Sequence, residues 1–126
     1  MIYKLIETVE NRDSYCEGMY HGSRVDLKNG FIQFYSPEQI IKTAVPQFSG
    51  QKHLILIEVD EVEFGEWLKW EPWHDDELFP RLYQSLTRDK VVSEIGLFDD
   101  DETRSSFLRN YIFRNYDSYP RRSMRR

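Results

Sequence analysis

The run Tyr20-His21-Gly22-Ser23-Arg24-Val25-Asp26-Leu27-Lys28-Asn29-Gly30-Phe31-Ile32-Gln33 holds two glycines, a serine, an aspartate and an imidazole in fourteen positions. Glycine tolerates positive φ and lets other atoms come close to the backbone. Ser23 and Asp26 can hold a ribose or an amide group, and His21 adds a donor and an acceptor. An Asx- or ST-type turn ahead of a strand would use the same serine and aspartate. A ligand wall and a plain turn therefore both fit this stretch. A second concentration of chemistry runs from Glu71 to Tyr83. Glu71 suits orienting a ribose hydroxyl or facing a positive charge; beside Trp70 and Trp73 it equally suits the rim of an aromatic shelf. Arg81 and Tyr83 follow the rigid Phe79-Pro80 pair, and arginine with tyrosine suits phosphate and ring contacts. His74, Asp75, Asp76 and Glu77 read as an exposed charged loop, and no metal site is assigned.

These residues need elements to hold them. Met1 to Thr8 alternates loosely and is expected to be a first strand carrying Tyr3 and Lys4. Asn11 to Gly18 is expected to be a short helix, with Cys16 semi-buried on it. Asn29-Gly30 is a strong turn dipeptide and sets up a strand over Phe31 to Tyr35. Ser36-Pro37-Glu38-Gln39 combines a serine N-cap, a proline at the first helical position and a glutamine able to close a capping box. The helix behind it carries Ile40, Ile41, Ala44, Val45 and Phe48; Pro46 should kink or shorten its last turn and Gly50 should end it. His53 to Val59 is a nearly continuous aliphatic run suited to a strand buried on both faces. Val62 to Trp70 is mixed, Glu71 to Glu77 reads as an aromatic and acidic loop, and Leu78 to Tyr83 reads as irregular. Val91 to Leu97 is a last strand. A helix from about Thr103 to Arg114 should dock Phe107, Leu108, Tyr111 and Ile112 on the body. Strands and helices mix without regular βαβ alternation, so the class is α+β. A core domain over 1–98 and a C-terminal helix with a basic tail over 99–126 divide the chain.

Composition narrows the functional classes. At 126 residues, 40% of them hydrophobic, the chain can bury a core of its own. No apolar run reaches a membrane-spanning length, and no signal-peptide pattern opens the chain. The lone Cys16 has no internal disulfide partner, which fits a cytoplasmic protein. From Thr103 onward seven arginines face one aspartate, a net of +6, which leaves −11 on residues 1–102 of a total of −5. An acidic body is a poor nucleic-acid binder, so any such partner would have to meet the arginine-rich tail. There is no GxGxxG, Walker A, HExxH or CxxC pattern, so the residues themselves fix no cofactor or metal. No feature fixes an oligomeric state.

Four places together resemble the bacterial domain-of-unknown-function family 952. They are Ile2-Tyr3-Lys4; Gly22-Ser23 with Asp26 and Gly30-Phe31-Ile32; Glu38-Gln39 with Thr43-Ala44; and Leu68-Lys69-Trp70-Glu71-Pro72 leading to Leu78-Phe79-Pro80-Arg81-Leu82-Tyr83. The resemblance covers roughly residues 2 to 97. That family has no established reaction, and it looks like a compact ADP-ribosyltransferase fold, a split antiparallel or mixed sheet with an NAD-binding cleft. The resemblance implies NAD or ADP-ribose as the ligand class. Taken with the residue chemistry above, the expected binding residues are Tyr3, Lys4, His21, Ser23, Asp26, Gln33 and Tyr83, with Glu71 and Arg81 as the expected catalytic ones. Glu71 would assist the ribose side and Arg81 would hold the phosphates. Gln33 and Arg81 stand where the family usually has histidine, so two imidazoles able to move protons are missing. The implied function is either a nucleotide-binding module capable of ADP-ribosyl transfer or a non-catalytic binding or interaction domain that kept the pocket.

Overall fold

The computed structural model describes residues 1–7, 9–48, 50–51, 53–97 and 106–113. In chain order the first elements are β1 (Ile2–Ile6), α1 (Val9–Cys16), β2 (Met19–Tyr20), α2 (Arg24–Asn29) and β3 (Ile32–Gln33). Then come α3 (Pro37–Gln39), a π-helical turn (Ile40–Ala44), α4 (Val45–Gln47) and β4 (Leu54–Val59). A 3-10 segment (Glu61–Trp67) leads to β5 (Leu68–Trp73), β6 (Glu77–Leu82), β7 (Leu86–Thr87) and β8 (Val91–Leu97). Residues 106–113 form a further helix.

The strands make three antiparallel sheets, β1-β4-β8, β2-β7 and β3-β6-β5. A single bridge joins the two larger ones: Tyr3 N–H donates to the Tyr35 carbonyl at 2.8 Å, and Tyr35 N–H to the Tyr3 carbonyl at 2.9 Å. The class is α+β with a split antiparallel arrangement, and every strand pairing among the described residues is antiparallel.

Strand alternation sorts the core into two clusters. Ile2 and Ile6 of β1 join Ile57 and Val59 of β4 in one, with Tyr15, Tyr20, Phe34 and Leu82. Tyr3 and Leu5 join Leu54 and Leu56 in the other, with Tyr35, Ile40 and Phe79. The aliphatic run expected to be buried on both faces is β4, the middle strand of its sheet. Leu108 and Ile112 of the 106–113 helix are fully buried in the second cluster, whereas Phe107 of the same expected face stays largely exposed. The rest of the expected helix and the arginine-rich tail lie outside the described residues.

Four local expectations are corrected. Asn29-Gly30 is not a hairpin turn: Asn29 ends α2, and Gly30, at φ +90°, is its left-handed C-cap, whose N–H bonds the Asp26 carbonyl. Glu71 to Trp73 is strand, and the acidic run is the tight β5–β6 turn, with Asp75 and Asp76 at positive φ, where aspartate is among the better-tolerated residues. Leu78 to Leu82 is strand as well. Pro80 has no N–H to give, but its carbonyl accepts from Phe34 N–H and Gln33 Nε2. Cys16 is exposed at the end of α1. The capping box of Ser36 and Gln39 forms as expected. Pro46 falls just after the π-helical turn, which relieves the clash that a proline ring makes with the preceding helical turn.

Gly22 is the tightest backbone position of the site region. At φ +110°, a Cβ there would lie 2.7 Å from Asp26 Cβ, whereas a Cβ at Gly30 meets nothing. Gly30→Ala should cost about 1 kcal/mol, for the left-handed backbone alone. Gly22→Ala should cost roughly 2–4 kcal/mol, because steric displacement of a buried residue adds to the backbone strain. Urea unfolding of both variants checks this, and equal losses would remove the close-approach argument.

Candidate functional site

The site grows from a short helix whose first turn is closed on itself. Ser23 is the N-cap of α2, and its Oγ accepts the Asp26 N–H at 3.1 Å. Asp26 Oδ2 accepts the Ser23 N–H at 3.0 Å in return, which completes a capping box. The same carboxylate reaches further: Oδ1 accepts the N–H of Gln33 on β3 at 3.3 Å, and Oδ2 lies 2.7 Å from Lys4 Nζ on β1. Both side chains of this ion pair are buried, 6% exposed for Lys4 and 4% for Asp26. One aspartate thus ties α2, β3 and β1 together.

A cavity of about 380 Å³ opens over this pair. Ser23, Asp26, Lys4 and Gln33 line its polar side, while Phe31, Tyr35, Phe48 and Trp73 supply aromatic wall. Gln33 is engaged by the protein: its Nε2 donates to the Phe34 carbonyl at 2.9 Å and to the Pro80 carbonyl at 3.1 Å. Its Oε1 accepts from Arg81 Nε at 3.4 Å. Arg81 lies with its guanidinium 4.4 Å from the Phe31 ring centre and donates from Nη2 to the Pro72 carbonyl at 3.2 Å. Its Nη1 is 3.6 Å from Glu71 Oε1. A guanidinium has five N–H donors, so Arg81 keeps donors for a ligand while its plane is held in place.

Five of the nine residues expected at the site meet here: Lys4, Ser23, Asp26, Gln33 and Arg81. The other four stand elsewhere. Tyr3 is on the opposite face of β1, fully buried, with its hydroxyl donating to Glu58 Oε2 at 2.9 Å. Strand alternation forbids Tyr3 and Lys4 from facing one cavity. Glu71 is outside the lining; it accepts a hydrogen bond from the Tyr83 hydroxyl and faces Arg81. Partial burial and the Glu71 carboxylate push the Tyr83 hydroxyl up, so Tyr83 stays neutral. His21 and Tyr83 line a second, shallower recess of about 220 Å³ that shares Asp26 and Phe31 with the first. There His21 Nδ1 is 2.7 Å from Ser85 Oγ, and both residues are exposed. No group of three or more metal-ligating side chains occurs among the described residues.

The structure adds a residue that sequence reasoning missed. Glu7, just past β1, lines the same cavity as Lys4 and Asp26. Its Oε1 is buried and has no hydrogen-bond partner among the described residues. Such an orphan costs about 1–3 kcal/mol, so it marks a place where stability has been given up. Burial pushes the Glu7 carboxyl above its usual range; its own backbone hydrogen bond and Lys4 oppose that rise, and Asp26 adds to it. Nearby, burial raises the Tyr20 and Tyr35 hydroxyls strongly, with Asp26 and Glu7 as further causes. No local pattern around Glu7 marks it, because its environment is assembled from α2 and β1 by the fold.

Residues 6–94 match the model of a family described as Protein of unknown function (DUF952). The chain belongs to this family. It is similar to the protein CC0527 from Caulobacter crescentus, whose crystal structure matches at a TM-score of 0.72 and 38% identity, over 79% of this chain and 87% of that one. The solution NMR structure of CC0527 matches at a TM-score of 0.69 and 38% identity, over 80% of this chain and 87% of that one. Among curated proteins no match was found.

Two predictions follow from the buried charges. Asp26→Ala strands the Lys4 ammonium and two N–H groups, and should lose about 3–5 kcal/mol of stability in urea unfolding. A loss under 1 kcal/mol would mean that the pair is not the anchor described. Glu7 has the opposite sign. A carboxyl whose native value is raised favours folding below its unfolded value near 4.5, and that contribution is lost as pH rises through the native value. Glu7→Gln should therefore gain melting temperature over the parent at pH 7, with the gain shrinking towards pH 4. Equal differences at the two pH values would contradict the burial argument.

Proposed function

We propose that this protein binds a small ligand that carries a planar ring and an anionic group, of the nucleotide or NAD/ADP-ribose class, in the cavity over Lys4 and Asp26. The observation that carries this is the wall itself: a guanidinium stacked on Phe31, with spare donors, beside Tyr35, Phe48 and Trp73. Arginine supplies forked donors for phosphate or carboxylate, and aromatic faces take a ring. At about 380 Å³ the cavity falls in the low part of the roughly 300–1,000 Å³ range of small-molecule sites. It suits a mononucleotide-sized moiety, and the remainder of a dinucleotide would lie over the rim.

Binding is favoured over group transfer. No imidazole lines the cavity among the described residues, and Lys4, Asp26 and Gln33 are committed to one another and to the backbone. Glu71 serves instead as a positioning residue, holding Arg81 and Tyr83. ADP-ribosyl transfer is the second reading. It would have to use Glu7 or Asp26 as its carboxylate, since these are the acids that line the cavity.

Titration calorimetry with AMP, ADP-ribose and NAD tests the proposal. At least one should bind with submillimolar affinity, and Arg81→Ala should weaken it about tenfold or more, the scale of a lost charge-assisted hydrogen bond. His21→Ala, in the other recess, should leave affinity within about twofold, inside the ±0.5 kcal/mol of an uninvolved surface change. Failure of all three ligands to bind at millimolar concentration would overturn the reading.

A further inference from the structure

We infer that Glu7 is the specificity-determining carboxyl of this cavity, hydrogen-bonding a donor group on the part of the ligand that enters deepest. The inference rests on the binding reading above and deepens it. Lys4 Nζ is given to Asp26. Both Asp26 oxygens are taken, by Lys4, Ser23 and Gln33. Ser23 Oγ accepts the Asp26 N–H, and the Gln33 amide is used on both its nitrogen and its oxygen. Glu7 is different. It lines the same cavity, yet one of its oxygens is buried with nothing to bond.

Buried polar atoms nearly always find a partner, and an unpaired one calls for a physical reason. The groups that bear on Glu7 are Lys4 and Asp26, and Glu7 in turn acts on the buried hydroxyls of Tyr20 and Tyr35. None of these donates to the orphaned oxygen, and the Tyr20 hydroxyl, which does not line the cavity, is likewise buried without a partner. A ligand donor that reaches the Glu7 carboxyl from the cavity would supply a bond that the protein itself leaves unmade. Sites that hydrogen-bond a hydroxyl or amino group reject analogues lacking it far more sharply than apolar walls do. Arg81, which lines the same cavity, would hold the anion, so the two residues read two different groups of one molecule.

Two kinds of ligand donor carry the same chemistry: sugar hydroxyls and a ring amino group. AMP, 2′,3′-dideoxy-AMP and inosine monophosphate distinguish them, since the second lacks the diol and the third lacks the amino group. Calorimetry should show the wild-type protein preferring AMP over one of the two analogues by about tenfold or more. Glu7→Ala should weaken AMP by a similar factor and abolish the preference, as a double-mutant cycle requires. Glu7→Gln keeps the size and an acceptor oxygen, and should retain most of the preference. It also guards against loss of folding in the alanine variant. Wild-type binding with the preference unchanged in Glu7→Ala would overturn this inference alone. A wild-type protein that binds none of the three overturns this inference, and the binding reading falls with it only where ADP-ribose and NAD also fail to bind.

Discussion

The buried contact between Lys4 and Asp26 is the constraint on which the rest of this molecule depends. A charge pair in the interior is costly to desolvate, and it is tolerated when geometry is good and further hydrogen bonds reach both oxygens of the carboxylate. Asp26 meets that condition. It takes the ammonium of β1, the N–H of β3 and the N-terminal N–H of its own helix. Removing either partner would leave a charge with no counter-ion, whereas replacing both by apolar groups would cost little stability. The pair is therefore better understood as fixing where α2 sits than as a source of net stability. Gly22 lets the chain pass close enough for that placement, because any Cβ would strike Asp26.

From this anchor the two halves of the split sheet acquire their relation. β1 sends Lys4 towards α2 and Tyr3 the other way, so one strand serves the cavity on one face and the second core on the other. The Tyr3–Tyr35 bridge then brings the β3-β6-β5 sheet against it. Gln33 and Arg81 are cross-strand neighbours in that sheet, and their side chains bond each other as well as the backbone. Arg81 is held between Phe31, Pro72 and Glu71, which places a cation at the cavity wall. Glu71 and Tyr83 thus support the site from behind it.

The parts of the fold that could be read in advance were those decided locally. Ser36-Pro37-Glu38-Gln39 is a capping box whatever surrounds it, and Leu54 to Val59 is too apolar to be anything but buried. The Asn29-Gly30 expectation failed because the same dipeptide can close a hairpin or end a helix; Gly30 takes a left-handed conformation in either case. The spacing of Ser23 and Asp26 was itself a helix-start signal, Ser-x-x-Asp. Nothing further along the chain extends that signal, because α2 has only six residues and no apolar stripe. Pro80 stands in the middle strand of its sheet, an uncommon place for proline, and its carbonyl carries the bonding to Phe34 and Gln33.

For the site, sequence by itself determined the inventory: an Asp26 and a Ser23 close in the chain, an Arg81 after a rigid Phe-Pro, a Lys4 on a first strand, and the family to which these belong. Tertiary structure decided which of them meet. Tyr3 is separated from Lys4 by the pleat of one strand, and Glu71 and His21 are turned away by their neighbours. Glu7, with no motif around it, is brought beside the ion pair with one carboxylate oxygen buried. Burial and electrostatic environment are sums over residues distant in the chain. A side chain's charge state and its unmet hydrogen bond therefore exist only once the fold has closed around it.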